Sequence, residues 1–156
     1  MSIGKVRNYF RTQNIEDRIQ EFDVSSATVE LAAEALNCEP ERIAKSIALK
    51  ADGRVILIVT AGDAKIDNSK FKAKFATKAK MLTPDEAITM VGHAVGGVCP
   101  FAVNEGVEVY LDISLKRFRT VFPACGSSNS AIELTINELE AYSCFKEWVD
   151  VCKGWA

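Results

Sequence analysis

The sequence predicts a single domain that combines helices with strands, and three observations support this prediction. The chain has 156 residues, 48% of them hydrophobic and 26% charged, which is the balance of a globular domain large enough to bury its own core. Segments with the apolar spacing of helices alternate with short runs that have the composition of strands. No linker, internal repeat or low-complexity stretch interrupts the chain. We therefore expect one domain over residues 1–156.

Helical segments are predicted before the first strand. Apolar residues spaced among charged ones indicate a helical cover over about residues 4–20, interrupted near Thr12 to Asn14. Residues 29–36 are rich in strong helix formers; hydroxyl residues just before them, including Thr28, are available as the N-cap, and Asn37 ends the helix. Pro40 suits the first position of a short helix that follows.

The clearest strand signal is a hairpin. Residues 46–50 and 55–59 are rich in apolar side chains, and Asp52-Gly53 between them favours a turn. The second strand is apolar on both faces, as expected of a strand that is buried on both sides. Further strands are predicted at 107–111, 120–122 and 131–134.

Three later helices have recognisable start signals. Either residue of Asp67-Asn68 can cap a helix whose lysines lie among two phenylalanines. The pattern Thr83–Glu86 is a capping box, and the helix that it opens stops at Gly92. A second capping box, Thr135–Glu138, predicts a C-terminal helix that continues towards Trp148.

Charge and cysteine content bear on compartment and partners. A formal net charge of −2 argues against a protein that holds nucleic acid by bulk electrostatics, so any such contact should be local. Five cysteines without a C-x-x-C pair predict reduced thiols and no metal site. No apolar run approaches the roughly 20 residues of a membrane span, and the N-terminus lacks the features of a secretory signal. We expect a cytoplasmic protein without membrane contact.

The segment Gly92–Phe101 carries the strongest functional signal. It holds three glycines and a proline; glycine leaves peptide N–H groups uncovered, and proline fixes the chain beyond them. Such a loop can present donors to a carbonyl oxygen or a phosphate. The alternative is a tight connection between a helix and a strand, without a ligand.

Lys45 is the second functional candidate. Period-two alternation places it on the same face as Ile47 and Leu49, which is the apolar face of the first strand. Either it reaches the surface as an edge residue, or it is a cation at the rim of a pocket, placed to hold a phosphate or a carbonyl oxygen in which charge develops. The hydroxyl of Ser46, next to it, either binds substrate or satisfies the backbone.

Other reactive side chains give weaker signals. His93 is the only histidine, so its ordinary pKa suits proton transfer near neutrality, but no nucleophile motif accompanies it. Cys99 is either a nucleophile or a small buried residue. The lysines at 65, 70, 72, 74, 78 and 80 form a solvated helix face or a patch for an RNA backbone, with Lys70, Lys72 and Lys74 as the candidate contacts.

Four segments together resemble the YbaK/prolyl-tRNA-synthetase-associated domain family. They are Ala27–Leu36, Ile43–Ile47, Gly92–Phe101 and Ala124–Thr135, and their order and spacing match over nearly the whole chain. The joint signal is a lysine where a short helix meets a strand, followed by the G-x-x-x-P pattern of Gly96–Pro100. The resemblance implies an α/β fold, with a mixed, strongly curved, barrel-like sheet surrounded by helices.

The resemblance also implies a set of site residues. Lys45 corresponds to the family's essential lysine, and Gly96 corresponds to the glycine whose backbone contacts the aminoacyl carbonyl. Cys99 stands where serine or threonine is common, and Cys125 stands at or beside a position where some members carry a pocket serine, so the preferred amino acid is left open. The expected substrate-binding residues are Thr28, Val29, Ser46, His93, Gly97, Cys99, Pro100 and Cys125.

The implied function is hydrolysis, in trans, of the ester of a mischarged tRNA. The resemblance implies a small amino acid such as cysteine, alanine, serine or threonine, carried foremost by tRNA-Pro. No metal or cofactor is expected, and prolyl-tRNA synthetase or another synthetase is the expected protein partner. A non-catalytic module that binds an aminoacyl end or a synthetase with the same pocket is the main alternative, and a thiol-dependent hydrolase using Cys99 or Cys125 is the third.

Overall fold

A mixed seven-stranded sheet, strongly curled into a half-barrel, forms the centre of the computed structural model, which describes residues 2–155. The strands of the chain are β1 (Gln20–Glu21), β2 (Ile43–Ala51), β3 (Arg54–Ala61), β4 (Lys65–Ile66), β5 (Lys80–Met81), β6 (Glu108–Asp112), β7 (Thr120–Pro123), β8 (Ser130–Ala131), β9 (Leu134–Thr135), β10 (Glu147–Val149) and β11 (Cys152–Lys153). The spatial order of the main sheet is β10, β6, β3, β2, β7 and β9, and β5 also pairs with β2. Both parallel and antiparallel neighbours occur, so the predicted mixed, curved α/β fold is confirmed.

Helices surround this sheet. They are α1 (Ser2–Thr12), α2 (Val29–Leu36), α3 (Asn68–Phe75), α4 (Pro84–Glu86), which continues as a π-helical turn over Ala87–Val91, and α5 (Ile136–Ser143). Short 3₁₀ turns occupy Glu16–Arg18, Pro40–Arg42 and Ile113–Arg117. In the described part of the chain no helix is long and apolar enough to span a membrane.

The hairpin of β2 and β3 forms as predicted. Its ladder runs from Ala44 paired with Ala61 to Ala51 paired with Arg54, and the turn residues Asp52 and Gly53 both adopt positive φ. The stretch Ile56–Val59 of β3 is completely buried, which confirms the prediction of a strand covered on both faces. This hairpin is the most extensively paired part of the sheet and carries Lys45 at a fixed register.

The predicted helix caps are also confirmed. Thr28 accepts a hydrogen bond from the amide of Leu31, and Asp67 does the same for the amide of Lys70. Both predicted capping boxes are complete, at the starts of α4 and α5. The sequence therefore located these helix starts by local chemistry alone.

Two predicted boundaries are wrong at the C-terminal side. The helix α5 ends at Ser143 because Cys144 adopts a left-handed φ of 51°, so it does not continue towards Trp148. Trp148 instead lies in β10, which pairs in parallel with β6. The predicted strand 131–134 is broken into β8 and β9, because these short strands pair with different partners, β1 and β7.

The N-terminal helical cover is interrupted where the sequence predicted, near Thr12 to Asn14. α1 ends at Thr12, and Asn14, with a φ of 61°, turns the chain away from the helix. The helix nevertheless covers the core, because Val6 and Phe10 are fully buried. The ring of Phe10 lies 4.8 Å from that of Phe101, so α1 packs against the end of the segment Gly92–Phe101.

Candidate active site

A cavity of about 360 Å³ lies where β2, the start of α2 and the segment Gly92–Phe101, called here the glycine loop, come together. Five of the predicted site residues line it: Thr28, Val29, Lys45, Ser46 and Gly96. Within the described residues Lys45 is the only charged side chain in the wall, and no histidine, cysteine or carboxylate lines it. The two features with the strongest sequence signals therefore face one cavity.

Lys45 is a cation without a carboxylate partner in the described residues. Its Nζ lies 3.4 Å from the carbonyl oxygen of Gly62, and it forms no ion pair within 4.0 Å. Burial lowers the pKa of Lys45 from its ordinary value, because a half-buried ammonium loses hydration. A group held in this state interacts strongly with negative charge that develops beside it.

Gly62, which the sequence analysis did not single out, fixes the carbonyl that Lys45 contacts. A Cβ at this position would lie 2.0 Å from the carbonyl oxygen of Pro40 and 2.9 Å from Cγ1 of Val29. The amide of Gly62 donates to the carbonyl of Glu41 at 3.3 Å. The sequence offers only a glycine after an apolar strand, which marks a turn and gives no hint of this close packing.

The glycine loop presents backbone to the cavity. Gly96 has a φ of 94°, and a Cβ there would lie 3.2 Å from Cβ of Ala27. Gly97 is more restricted, since its Cβ would lie 2.6 Å from the amide nitrogen of Ser127. The amide of Gly97 donates to the carbonyl of Ala94 at 3.0 Å, whereas the amides of Gly96 and Val98 find no acceptor within residues 2–155. Gly96 and Val98 both line the cavity, so two residues with unengaged amides border it on the loop side.

The model of the aminoacyl-tRNA editing domain family matches residues 23–142, a span that includes Lys45 and the whole glycine loop. The chain belongs to this family.

Individual relatives extend the comparison with the editing domain. YwhH, an uncharacterized protein of Bacillus subtilis (strain 168), is 56% identical over 99% of both chains. A proline–tRNA ligase of the same organism is 32% identical over 90 residues, or 57% of this chain, but the match spans only 16% of the ligase. A crystal structure described provisionally as a trans-editing enzyme for prolyl-tRNA synthetase superposes with a TM-score of 0.87, at 26% identity over 98% of each chain.

Four predicted substrate contacts of the glycine loop, His93, Gly97, Cys99 and Pro100, do not line the cavity of the editing domain. His93 and Cys99 are completely buried, and Pro100 is buried beside them. His93 Nε2 donates to the carbonyl of Phe101 at 2.7 Å, and the Cys99 Sγ lies 3.6 Å from the same nitrogen. Because a carbonyl only accepts, His93 Nδ1 is the unprotonated nitrogen, and it has no partner in the described structure. His93 ties the two ends of the loop together.

The cysteines near the cavity are poor nucleophiles. Burial raises the pKa of Cys99 to about 12, and it also raises the pKa of Cys125 well above the ordinary value. Cys125 is completely buried and lies behind the wall, to which its neighbour Ala124 contributes. Both thiols are therefore held in the unreactive protonated form, which disfavours the thiol-dependent alternative.

Two hydroxyl groups of the wall have different surroundings. The Thr28 Oγ1 accepts from the amide of Leu31 at 3.2 Å and so is engaged as the N-cap of α2. The Ser46 Oγ is buried and has no hydrogen-bond partner in the described structure. A buried hydroxyl without a partner is costly, so Ser46 is available to a polar group of a ligand.

The candidate tRNA contacts on α3 do not line the cavity. The Lys70 Nζ binds the Asp150 carboxylate at 3.1 Å, and Lys74 forms an ion pair with Glu147. Lys72 has no such partner among the described residues. Two of these three lysines are therefore partly neutralised by acidic neighbours.

The arrangement has the parts for stabilising a negatively charged oxygen. It combines one desolvated ammonium with backbone N–H groups that border the same cavity. It lacks a side-chain nucleophile paired with a base, since the wall holds hydroxyls but neither histidine nor carboxylate in the described chain. Chemistry at this site must take its nucleophile from water or from the substrate.

Proposed function

We propose that this editing domain is an aminoacyl-tRNA deacylase that hydrolyses the ester between a small amino acid and the terminal ribose of a mischarged tRNA, tRNA-Pro foremost. The observation that carries the proposal is the convergence of Lys45 and the glycine loop on one cavity. Family membership supports an aminoacyl-tRNA as the substrate, and the composition of the cavity wall supports ester hydrolysis as the reaction.

The reaction follows from the charge that an ester develops. A water oxygen adds to the ester carbonyl carbon, and the carbonyl oxygen becomes an oxyanion in the tetrahedral intermediate. The amide of Gly96 and the Lys45 ammonium stabilise this oxygen, Gly96 by hydrogen bonding and Lys45 by charge. Collapse of the intermediate breaks the bond to the ribose oxygen, which takes a proton, and releases a free amino acid and an uncharged tRNA.

The wall gives Lys45 the role of an electrostatic group rather than a base. An ammonium retains its proton below its pKa, and the wall contains no second titratable side chain in the described structure. The neighbouring ribose hydroxyl of the substrate therefore relays the proton of the attacking water: it accepts this proton as it gives its own to the departing ester oxygen. Holding this hydroxyl and the ester in one orientation supplies the remaining rate enhancement.

The wall of the cavity is largely apolar. In the described chain it contains seven alanines together with larger apolar residues, among them Ile43, Ile47, Leu82 and Phe122. One methylene in an apolar pocket changes binding by only about 1–3 kcal/mol, so several small amino acids should be accepted to different extents. Ser46 adds one polar contact for the substrate, so polar small amino acids such as serine and threonine belong in the panel beside alanine and cysteine.

A partner is expected to select the tRNA. The chain carries a net charge of −2, and two of its candidate tRNA-binding lysines are paired with carboxylates. Both features weaken the affinity of the domain itself for tRNA. The similarity to proline–tRNA ligases and to a structure described as editing for prolyl-tRNA synthetase makes that synthetase the first candidate. Lys72 then supplies a single weak contact to the RNA backbone.

Deacylation of a defined panel tests the proposal. Alanyl-, cysteinyl-, seryl- and threonyl-tRNA-Pro are incubated with the domain, with and without prolyl-tRNA synthetase, and prolyl-tRNA-Pro serves as the correctly charged control. We expect faster release of at least one small amino acid than of proline. Binding of these tRNAs without any release would replace the deacylase by the non-catalytic binding module.

A further inference from the structure

An ion pair lies next to the carbonyl that Lys45 contacts. Asp63 follows Gly62 in the turn after β3, and Arg117 is the last residue of the 3₁₀ turn after β6. The Arg117 Nη1 lies 3.0 Å from one carboxylate oxygen of Asp63, and Nη2 lies 2.5 Å from the other. This two-point contact is the strong geometry of an arginine–carboxylate pair.

Arg117 is held in place from several sides. Its Nε donates to the carbonyl of Ser114 at 2.9 Å. Its guanidinium lies over the rings of Phe118 and Trp155, at 4.7 and 5.0 Å from their centroids. A guanidinium fixed in this way determines where the Asp63 carboxylate stands.

The same 3₁₀ turn also fixes the backbone beside Asp63. The Ser114 Oγ accepts from the amide of Ala61 at 3.1 Å, and Ser114 is completely buried. The amide of Ala64 donates to the carbonyl of Ala61 at 3.1 Å. Together with the close packing at Gly62, these contacts set the Gly62 carbonyl, and hence the anchor of Lys45.

Asp63 is the acidic group best placed to compete for Lys45. Its carboxylate belongs to the residue next to the Lys45 anchor, and the two groups interact electrostatically: Asp63 raises the pKa of Lys45, and Lys45 lowers that of Asp63. The largest influence on the Asp63 pKa is nevertheless its hydrogen bonding to Arg117, which lowers it. A direct Lys45–Asp63 pair would occupy the ammonium that the substrate needs.

We propose that Arg117 and Asp63 are a positioning pair, in which Arg117 holds the Asp63 carboxylate away from Lys45 and leaves the ammonium available to the substrate. This inference rests on the proposed function only for its consequence in catalysis. Whether Asp63 pairs with Arg117 or with Lys45 can be tested without any substrate.

Three variants distinguish this positioning role from that of an ion pair that only stabilises the fold. Arg117→Met removes the guanidinium and keeps a long apolar side chain against Phe118 and Trp155. Asp63→Asn removes the competing charge, and the third variant combines both changes. Arg54→Met is a matched control, because Arg54 pairs with Glu108 at 3.2 Å and lies over the ring of Phe75, but does not line the cavity.

The first measurement is the pKa of Lys45 itself, followed by NMR of labelled lysine side chains and assigned with Lys45→Ala. The other charged or titratable groups that influence Lys45 are Cys152, Lys65 and Glu30, and none of the variants alters them. We expect a higher Lys45 pKa in Arg117→Met, because the released carboxylate pairs with the ammonium. The double variant should lose this rise and fall to the wild-type value or slightly below it, because the Asp63 charge is gone, and Arg54→Met should not differ from wild type.

The second measurement is kcat/KM for deacylation of the best tRNA in the panel. We expect Arg117→Met to lose roughly 10- to 100-fold, Asp63→Asn to lose less than about threefold, and the double variant to recover to within about threefold of wild type. Urea unfolding of each variant accompanies the assay. If the ion pair only stabilised the fold, the double variant would not recover activity, because each single change already breaks the same contact.

The outcomes distinguish the two proposals. An unchanged Lys45 pKa in folded Arg117→Met, or a double variant as inactive as Arg117→Met, overturns the positioning pair and leaves the deacylase intact. A wild-type domain that releases no amino acid overturns the deacylase, while the NMR titration still decides whether Arg117 keeps Asp63 from Lys45.

Discussion

The β2 side of the cavity and the glycine-loop side are held by different forces. β2 is paired with β3 at eight consecutive positions, so Lys45 and Ser46 are positioned by a regular ladder. The glycine loop pairs with no strand in the described structure and is closed by a few contacts, chiefly His93 to Phe101, Gly97 to Ala94 and Asn104 to Val91. β2 thus contributes side chains on a rigid strand. The glycine loop contributes backbone groups, and the shape of this backbone depends on the lack of side chains at its glycines.

This difference predicts two kinds of mutational response. Removal of the Lys45 or Ser46 side chain should change chemistry while leaving stability nearly untouched, because the β2–β3 ladder does not depend on these side chains. In the glycine loop, an added or altered side chain should change both activity and stability, because the shape of the backbone is itself the functional element.

The largest effect is expected from Lys45→Ala. Lys45 is the only charged group in the cavity wall among residues 2–155, and its loss should lower kcat/KM for deacylation by about 100-fold or more, in the range found for lost oxyanion-stabilising groups. The free energy of unfolding should change by less than about 1 kcal/mol, because Lys45 forms no ion pair in the described structure. Deacylation time courses and urea unfolding measure the two quantities.

Lys50→Ala is the matched control for Lys45→Ala. Lys50 lies on the same strand but outside the cavity wall, where it pairs with Glu86. Its loss should leave kcat/KM within about threefold of wild type. Equal activity of the Lys45 and Lys50 variants would remove Lys45 from the reaction.

The second effect is expected from Gly97→Ala. Its Cβ would lie 2.6 Å from the Ser127 amide nitrogen and 2.7 Å from the Gly126 carbonyl carbon, so the loop must shift away from backbone that cannot yield cheaply. We expect about 1–3 kcal/mol less stability, with a loss of activity of tenfold or more. Gly4→Ala is the control, because nothing lies within 4 Å of a Cβ there. Unchanged stability in Gly97→Ala would show that the loop adapts.

The third effect concerns the His93 contact and depends on pH. Burial lowers the pKa of His93 from its ordinary value of 6.5, so the unfolded chain binds a proton at pH values where the folded chain does not. The stabilising contribution is therefore complete above pH 6.5 and is lost as the pH falls through the lower folded-state value. His93→Leu should cost about 1–3 kcal/mol by leaving the Phe101 carbonyl without its donor.

The pH dependence separates His93 from the carboxylates. Glu86 and Glu138 have pKa values of about 2 because of their partners Lys50 and Arg18, so their contributions are lost only in stronger acid, below about pH 4.5. Unfolding curves between about pH 7 and 5 should therefore slope in wild type and flatten in His93→Leu. An equal slope in both proteins would assign the effect to another group.

The smallest effect is expected from Ser46→Ala. Because the Ser46 Oγ has no partner in the described structure, its removal should not lower stability and should lower only the affinity for a substrate that hydrogen-bonds to it. We expect a rise in KM of about tenfold or less for the polar members of the panel, with little change for alanine. A uniform loss across the panel would instead show that Ser46 contacts the part of the substrate that all members share.

The fold was predictable where local chemistry decides it. The cap residues Thr28, Asp67, Thr83 and Thr135 set helix starts at the expected places, and the Asp52-Gly53 turn set the register of the hairpin. The boundaries that failed depend on distant partners. Trp148 lies on a strand because β6 is available to pair with it, a contact that no nearby residue encodes.

The candidate site divides in the same way. Alternation placed Lys45 on the apolar face of its strand, and the glycine content identified the loop, but the sequence did not show that His93, Cys99 and Pro100 are buried. His93 and Cys99 look like reactive groups in the sequence, yet the surrounding chain encloses both and turns His93 towards Phe101. Gly62, Asp63 and Arg117 gave no signal, since their importance arises from a carbonyl and an ion pair brought beside Lys45 by separate strands.

The sequence by itself determined the helix starts, the central hairpin, the family resemblance and two functional features, Lys45 and the glycine loop. Each of these depends on a few neighbouring residues or on the order of short motifs. Only the tertiary structure decided that the Lys45 ammonium and the amides of Gly96 and Val98 border one cavity, and that buried thiols and the histidine stand behind it. Desolvation and charge pairing act through space, and their strength depends on distances that only the folded chain fixes.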